Sequence, residues 1–188
     1  GNYFERQYSR WSRQYEASAT EKYPEMADLQ QWLKSNIPEE KSPSCLVHGD
    51  WRIDNLIYKN GPFNLAAVID WEISTLGNSI ADLGTQLMQW EMPAGEETRG
   101  LGGLNRKSLG IPNNNDYVEN YAKRVGITEI PDLTFAVAFS FFRMAAIMQG
   151  IKKRVLEGNA SNPEWGIKGM NSIQLFVKKA LEYIKSKD

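Results

Sequence analysis

Asp50, Asn55 and Asp70 are the residues of this chain whose types and spacing could do chemistry together. A carboxylate held beside a hydroxyl can accept its proton. A neutral amide oxygen paired with a second carboxylate is a hard, weakly charged donor set. It suits Mg²⁺, which keeps waters and substrate oxygens in its own shell. Around them stand His48, Arg52, Asp54, Glu72 and Asp82. His48 is the only histidine, which argues against a multi-histidine zinc centre.

Such groups work only if something fixes them. The stretch Cys45-Leu46-Val47-His48-Gly49-Asp50-Trp51-Arg52-Ile53-Asp54-Asn55-Leu56-Ile57-Tyr58 supplies this, since two short apolar runs bracket a polar loop. A further apolar run, Leu65 to Ile69, ends at Asp70 and reads as a strand buried on both faces. The pattern H-G-D-x-x-x-x-N is similar to the H-R-D-x-x-x-x-N catalytic loop of protein kinases. Asp70 follows where those enzymes place the aspartate of D-F-G. On that pattern Asp50 takes the proton of the attacking hydroxyl, and Asn55 and Asp70 hold Mg²⁺ against the nucleotide phosphates. Arg52 stands where many of those enzymes have a lysine near the transferred phosphate. His48 is a structural hydrogen-bonder rather than the base. Asp82 either stabilises a helix start by its charge or hydrogen-bonds the catalytic loop. Glu72 either reaches the metal or orients a neighbour, and Asp54 reads as solvated or loop-capping.

The rest of the chain reads as helical scaffold. Phe4, Tyr8, Trp11 and Tyr15 recur at helical spacing. Met26, Leu29, Trp32 and Leu33 give a second apolar face behind Pro24, and Ile37-Pro38 closes it. The charged segment Glu39 to Ser44 is a linker, and Gly1 reads as a cloning remnant. Lys59-Asn60-Gly61-Pro62 is a hairpin turn, and Ser74 to Ser79 is turn-like. Helices follow around Ile80–Met88 and Tyr117–Val125, the latter stopped by Gly126. Phe135 to Val155 reads as a central buried helix, Gly158 to Gly166 as a loop, and Ile173 to Ile184 as a terminal amphipathic helix. Met92 to Asn115 is the least regular part, either a substrate-facing lid or an idle loop. Its Gly100-Leu101-Gly102-Gly103 lacks the G-K-[ST] ending of a phosphate-binding loop.

The 188 residues suffice for one sizeable core. Hydrophobic residues make up 41% and charged ones 24%, an ordinary globular mix. A net charge of -1 gives no electrostatic reason for a nucleic acid or an anionic membrane as partner. One cysteine, Cys45, excludes an internal disulfide and fits a reducing compartment. A soluble, intracellular protein is therefore expected.

Taken together, Val47-His48-Gly49-Asp50 through Asn55, Val68-Ile69-Asp70-Trp71-Glu72 and Ala81-Asp82-Leu83-Gly84 resemble the aminoglycoside phosphotransferase/choline kinase family. Within it, Asp70 through Gly77 and the opening Tyr3-Phe4-Glu5-Arg6-Gln7 are similar to the phosphotransferase domains fused to, or encoded near, acyl-CoA dehydrogenases. That resemblance implies an α+β fold, mostly helical: one domain over residues 1–188, the C-terminal lobe of a kinase-like enzyme with a small β-hairpin region. It implies ATP and Mg²⁺ as cofactors, a hydroxyl on a small molecule as acceptor, with a hydroxyacyl-CoA as the candidate, and an acyl-CoA dehydrogenase as partner or fusion. The nucleotide-clamping N-terminal lobe is absent from this sequence, so 1–188 alone is expected to be inactive. The rival readings are a non-catalytic kinase-like binding module and a metal-dependent phosphoesterase. The single histidine weakens the second.

Overall fold

Helix α5 (Thr134–Leu156) is apolar around most of its circumference and is stable only when other elements surround it. The computed structural model, which describes residues 2–40, 44–61, 64–95, 98–170 and 172–187, builds that surround from the remaining helices. In chain order these are α1 (Tyr3–Ser18), α2 (Pro24–Ser35), α3 (Ile80–Glu91), α4 (Asn114–Val125), α6 (Pro163–Met170) and α7 (Ser172–Lys185). Helices α1, α2, α3, α6 and α7 all pack on α5. By composition α5 could cross a membrane, but here most of its apolar stretch lies inside the core.

The core is aromatic where α1 meets α5. Phe4 sits edge-on to Phe135, ring centroids 5.1 Å apart, and Phe135 stacks on Phe139 at 6.1 Å. Each such ring removed from water contributes about 1.5–3 kcal/mol, so this seam fixes α1 firmly. Gln149, buried on the same helix, donates to the Ser18 carbonyl at 2.8 Å and ties off the end of α1. Gly84 lets α3 close on α5: a Cβ there would lie 2.7 Å from the backbone of Ala136.

Two small antiparallel ladders hang from this bundle. Strand β1 (Cys45–Val47) pairs with β4 (Thr75–Gly77) in the register Cys45↔Gly77 and Val47↔Thr75. Strands β2 (Leu56–Tyr58) and β3 (Leu65–Val68) form a hairpin, with Leu56 opposite Val68. The mostly helical α+β architecture with a small hairpin region is therefore the one the sequence predicts.

Three local expectations need correcting. Strand β3 is exposed rather than buried on both faces, Leu65 retaining 47% of its accessible surface, because β2–β3 projects as a bare two-stranded ribbon. Ser74 to Ser79 is more than a turn, since it contains β4. The predicted 158–166 loop ends early, because Pro163 opens α6. Gly1, residues 41–43 of the linker and Pro62 of the predicted turn lie outside the described residues.

The irregular stretch after α3 folds back on that helix. Gly102 N–H donates to the Met92 carbonyl at 2.8 Å, and Gly100 passes so close to Met92 that no Cβ would fit. A 3₁₀ turn (Arg106–Leu109) follows, with Arg106 over the Trp90 ring and bonded to Asn114 at 2.7 Å.

Candidate active site

Strand β1 ends at Val47, just before His48, and the first turn of α3 lies beneath it. Asp82, in that turn, accepts the backbone N–H of His48 at 2.7 Å on one carboxylate oxygen and that of Gly49 at 2.9 Å on the other. Of the two roles the sequence left open for Asp82, the hydrogen-bonding one is what the geometry displays. Gly49 sits at φ 87 in the left-handed region, and a Cβ would lie 2.9 Å from the Ile73 carbonyl oxygen. A glycine is required on both counts.

His48 is 2% exposed and bonded at both ring nitrogens. Asp50 N–H donates to Nδ1 at 3.2 Å, so the proton resides on Nε2, which donates to the Ile69 carbonyl at 2.9 Å. The ring also packs against Trp51 and Trp71. A histidine spent on two backbone bonds fixes the distance between the candidate catalytic loop and the strand before Asp70, and leaves no nitrogen for substrate.

The loop then turns through a 3₁₀ segment, Ile53–Asn55. Asn55 is buried and directs Nδ2 to the backbone carbonyl of Asp50 at 2.8 Å and to its carboxylate at 3.1 Å. Its own carbonyl accepts Ile69 N–H at 2.9 Å, so Asp70 stands one residue beyond that bond. Asp70 has φ 66, a left-handed conformation for a non-glycine residue, and is exposed. Glu72 is exposed in the turn between Asp70 and β4.

Arg52 faces Asp54 rather than open space: Nη2 is 2.8 Å from the Asp54 carboxylate, while Nε is 4.0 Å from that of Asp50. Arg99, from the irregular stretch, reaches the same Asp54 oxygen at 3.4 Å. Asp54, read from sequence as solvated or loop-capping, thus joins two arginines and links that stretch to the candidate catalytic loop.

The structure therefore brings His48, Asp50, Arg52, Asn55 and Asp82 together and sets Asp70 beside them. No cluster of three or more His, Cys, Asp or Glu residues suited to a metal occurs among the described residues. The donor set nevertheless fits a cation completed by nucleotide oxygens: with Nδ2 turned to Asp50, the Asn55 amide oxygen is left for another partner, and Asp70 adds one exposed carboxylate.

Sequence reading missed Arg143. It is 6% exposed, inside α5, and donates from Nη2 to the Thr85 hydroxyl at 3.1 Å. Burial pushes its guanidinium down from its ordinary value, and the charges of Tyr3, Asp50 and Asp82 oppose that. The available signal was its isolation, as the sole charge between Asp132 and Lys152.

Residues 1–103 match the phosphotransferase enzyme family. Acyl-CoA dehydrogenase family member 10 of Mus musculus is 41% identical over 163 residues, which are 86% of this chain and 15% of that protein. Family member 11 of Gallus gallus is 42% identical over 164 residues, 85% of this chain and 21% of that protein. The chain thus spans less than a quarter of the curated relatives it matches. A solved structure from Ralstonia eutropha, named for the aminoglycoside phosphotransferases, superposes with a TM-score of 0.91 at 41% identity. The match covers 99% of this chain and 56% of that one.

Proposed function

Because this chain belongs to the phosphotransferase enzyme family, we propose that it is the catalytic-loop lobe of a small-molecule kinase, transferring the γ-phosphoryl group of ATP to an alcohol. The observation that carries this reading is the Asn55 amide, bonded through one nitrogen to both the carbonyl and the carboxylate of Asp50. It joins the half-buried candidate base to a buried candidate metal ligand.

In this reading Asp50 accepts the acceptor hydroxyl's proton as its oxygen bonds to the γ-phosphorus. The bond to the β–γ bridging oxygen breaks, and ADP leaves with that electron pair. Asn55 and Asp70 would hold Mg²⁺, which when bound neutralises the phosphate oxygens and keeps them in line. Arg52, on leaving the Asp54 carboxylate that holds it here, would stabilise charge on the transferring group. Asp82 and His48 keep the loop at fixed height over α3, and Glu72 stands by as a supporting carboxylate at the rim.

A nucleotide-clamping lobe on the same polypeptide completes the cradle, and residues 1–188 alone turn over negligibly. The bare faces of β2–β3, together with Ile53 at 71% and Leu76 at 65% exposure, offer apolar surface that such a lobe would cover. The acyl-CoA dehydrogenase relatives support a fusion of the two activities in one chain. They also support a hydroxyacyl-CoA as the acceptor. A single half-buried free cysteine, Cys45, is in keeping with a soluble enzyme inside the cell.

The test is ATP consumption and phosphorus NMR of products with the full-length protein, hydroxyacyl-CoA thioesters and aminoglycosides being offered in parallel. A phosphorylated hydroxyacyl-CoA formed by wild type, and lost with Asp50→Asn, supports the reading. Transfer that survives Asp50→Asn unchanged, or no transfer to any alcohol, overturns it.

A further inference from the structure

A cation buried in a helical core is unfavourable unless acceptors and opposite charge stand near it. Arg143 has one acceptor, Thr85, on the side facing the candidate catalytic loop, and the charges of Asp50 and Asp82 favour its charged form. Its Nη2 donates to Thr85 Oγ1 at 3.1 Å, and that hydroxyl passes its own hydrogen to the Ala81 carbonyl at 3.1 Å. Its Nε has no hydrogen-bond partner. Thr85 lies three residues after Asp82, so the two side chains share one face of α3. A continuous path results: Arg143 on α5, Thr85 and Asp82 on α3, then the N–H groups of His48 and Gly49, and finally Asp50.

We propose that Arg143 is a positioning residue. From the core side it ties Thr85, in the second turn of α3, to α5, so that the Asp82 carboxylate one turn earlier stays aimed at the loop carrying Asp50. Its catalytic meaning rests on the function proposed above, whereas its mechanical role rests on the structure alone. A space filler would serve as well if it were methionine. A counter-charge would not, and lysine would serve in part.

The discriminating measurement is amide hydrogen exchange in the full-length protein at His48 and Gly49, whose N–H groups Asp82 holds. Arg143→Met should speed exchange there by about tenfold or more. It should leave Val177, in the α5–α7 core, unchanged. Arg143→Lys should recover most of the protection. The proposal is overturned if folded Arg143→Met exchanges at wild-type rates at both amides, if acceleration is uniform through the core, or if lysine and methionine behave alike. Should Arg143→Met fail to fold, Thr85→Val, which removes the acceptor and keeps the arginine, must show the same local acceleration, and normal rates there overturn the idea. In kinetics, Arg143→Met should lower kcat by about 100-fold, with nucleotide affinity within about twofold of wild type. If wild type phosphorylates no alcohol, the function fails, and the exchange rates still decide the role of Arg143.

Discussion

Asn55 holds Asp50 twice with one nitrogen, on the backbone carbonyl and on the carboxylate. The amide therefore sets the aim of the candidate base before any ligand arrives. Asn55→Ala leaves that carbonyl without its donor and should cost about 1–3 kcal/mol of stability. Asn55→Asp should be the worse variant, although it carries more charge for a metal, because it sets two carboxylates against each other. Urea unfolding of both variants decides. An Asn55→Asp protein as stable as wild type would refute the role given to Nδ2.

Asp50 and Asp70 should separate in a Mg²⁺ titration. Asp50→Asn keeps shape but removes the proton acceptor, so its defect, about 10²–10⁴-fold at most, should persist at saturating metal. Loose phosphoryl-transfer transition states demand less of a base, and the lower end is expected. The Asp70→Asn defect should shrink as Mg²⁺ rises. Steady-state rates, with nucleotide affinity measured separately, provide the check. Rescue of Asp50→Asn by metal would make Asp50 a ligand instead.

Asp82→Asn exchanges an acceptor of two N–H groups for a side chain with one acceptor and one unwelcome donor. Hydrogen bonds to a charged group contribute about 1.5–3 kcal/mol, and a loss within that range is expected in chemical denaturation. Turnover should fall together with stability. An Asp82→Asn variant with normal rate and melting point would mean that the loop holds itself.

Burial, with the carboxylates of Glu91 and Asp132 nearby, pushes the Tyr183 phenol up from 10.0 to about 12. The folded chain keeps that proton where the unfolded chain has released it. The tyrosine's contribution is therefore intact below pH 10, and stability falls as pH rises between those two values. Tyr183→Phe removes the titrating group. Unfolding curves above and below pH 10 should show wild type losing more stability than the variant, and parallel losses would contradict the assignment.

What sequence could foretell depended on how local the cause was. The stripe Phe4, Tyr8, Trp11 and Tyr15 announces α1 because helical periodicity is written directly in the spacing. Asp50 and Asn55 were legible as members of one site because one short loop holds both, although the bond between them was not. By contrast, β4 is three residues long and exists only because Thr75 to Gly77 finds β1 across an intervening hairpin, with no local signal of its own. An apolar run such as Leu65 to Val68 reads the same whether or not this chain covers it, so its exposure was invisible. Arg143 and the Arg99–Asp54 contact were hidden for a related reason. Nothing near a lone arginine in the sequence tells which distant group will face it.

Under the proposed function, the φ of 66 at Asp70 sets catalysis against durability. Glycine takes such a backbone angle freely, and aspartate tolerates it at a cost of about 1 kcal/mol. Asp70→Gly should therefore raise the melting temperature while abolishing the Mg²⁺-dependent reaction. A lineage released from selection for turnover would find this exchange close at hand, gaining stability with the same substitution that silences the enzyme.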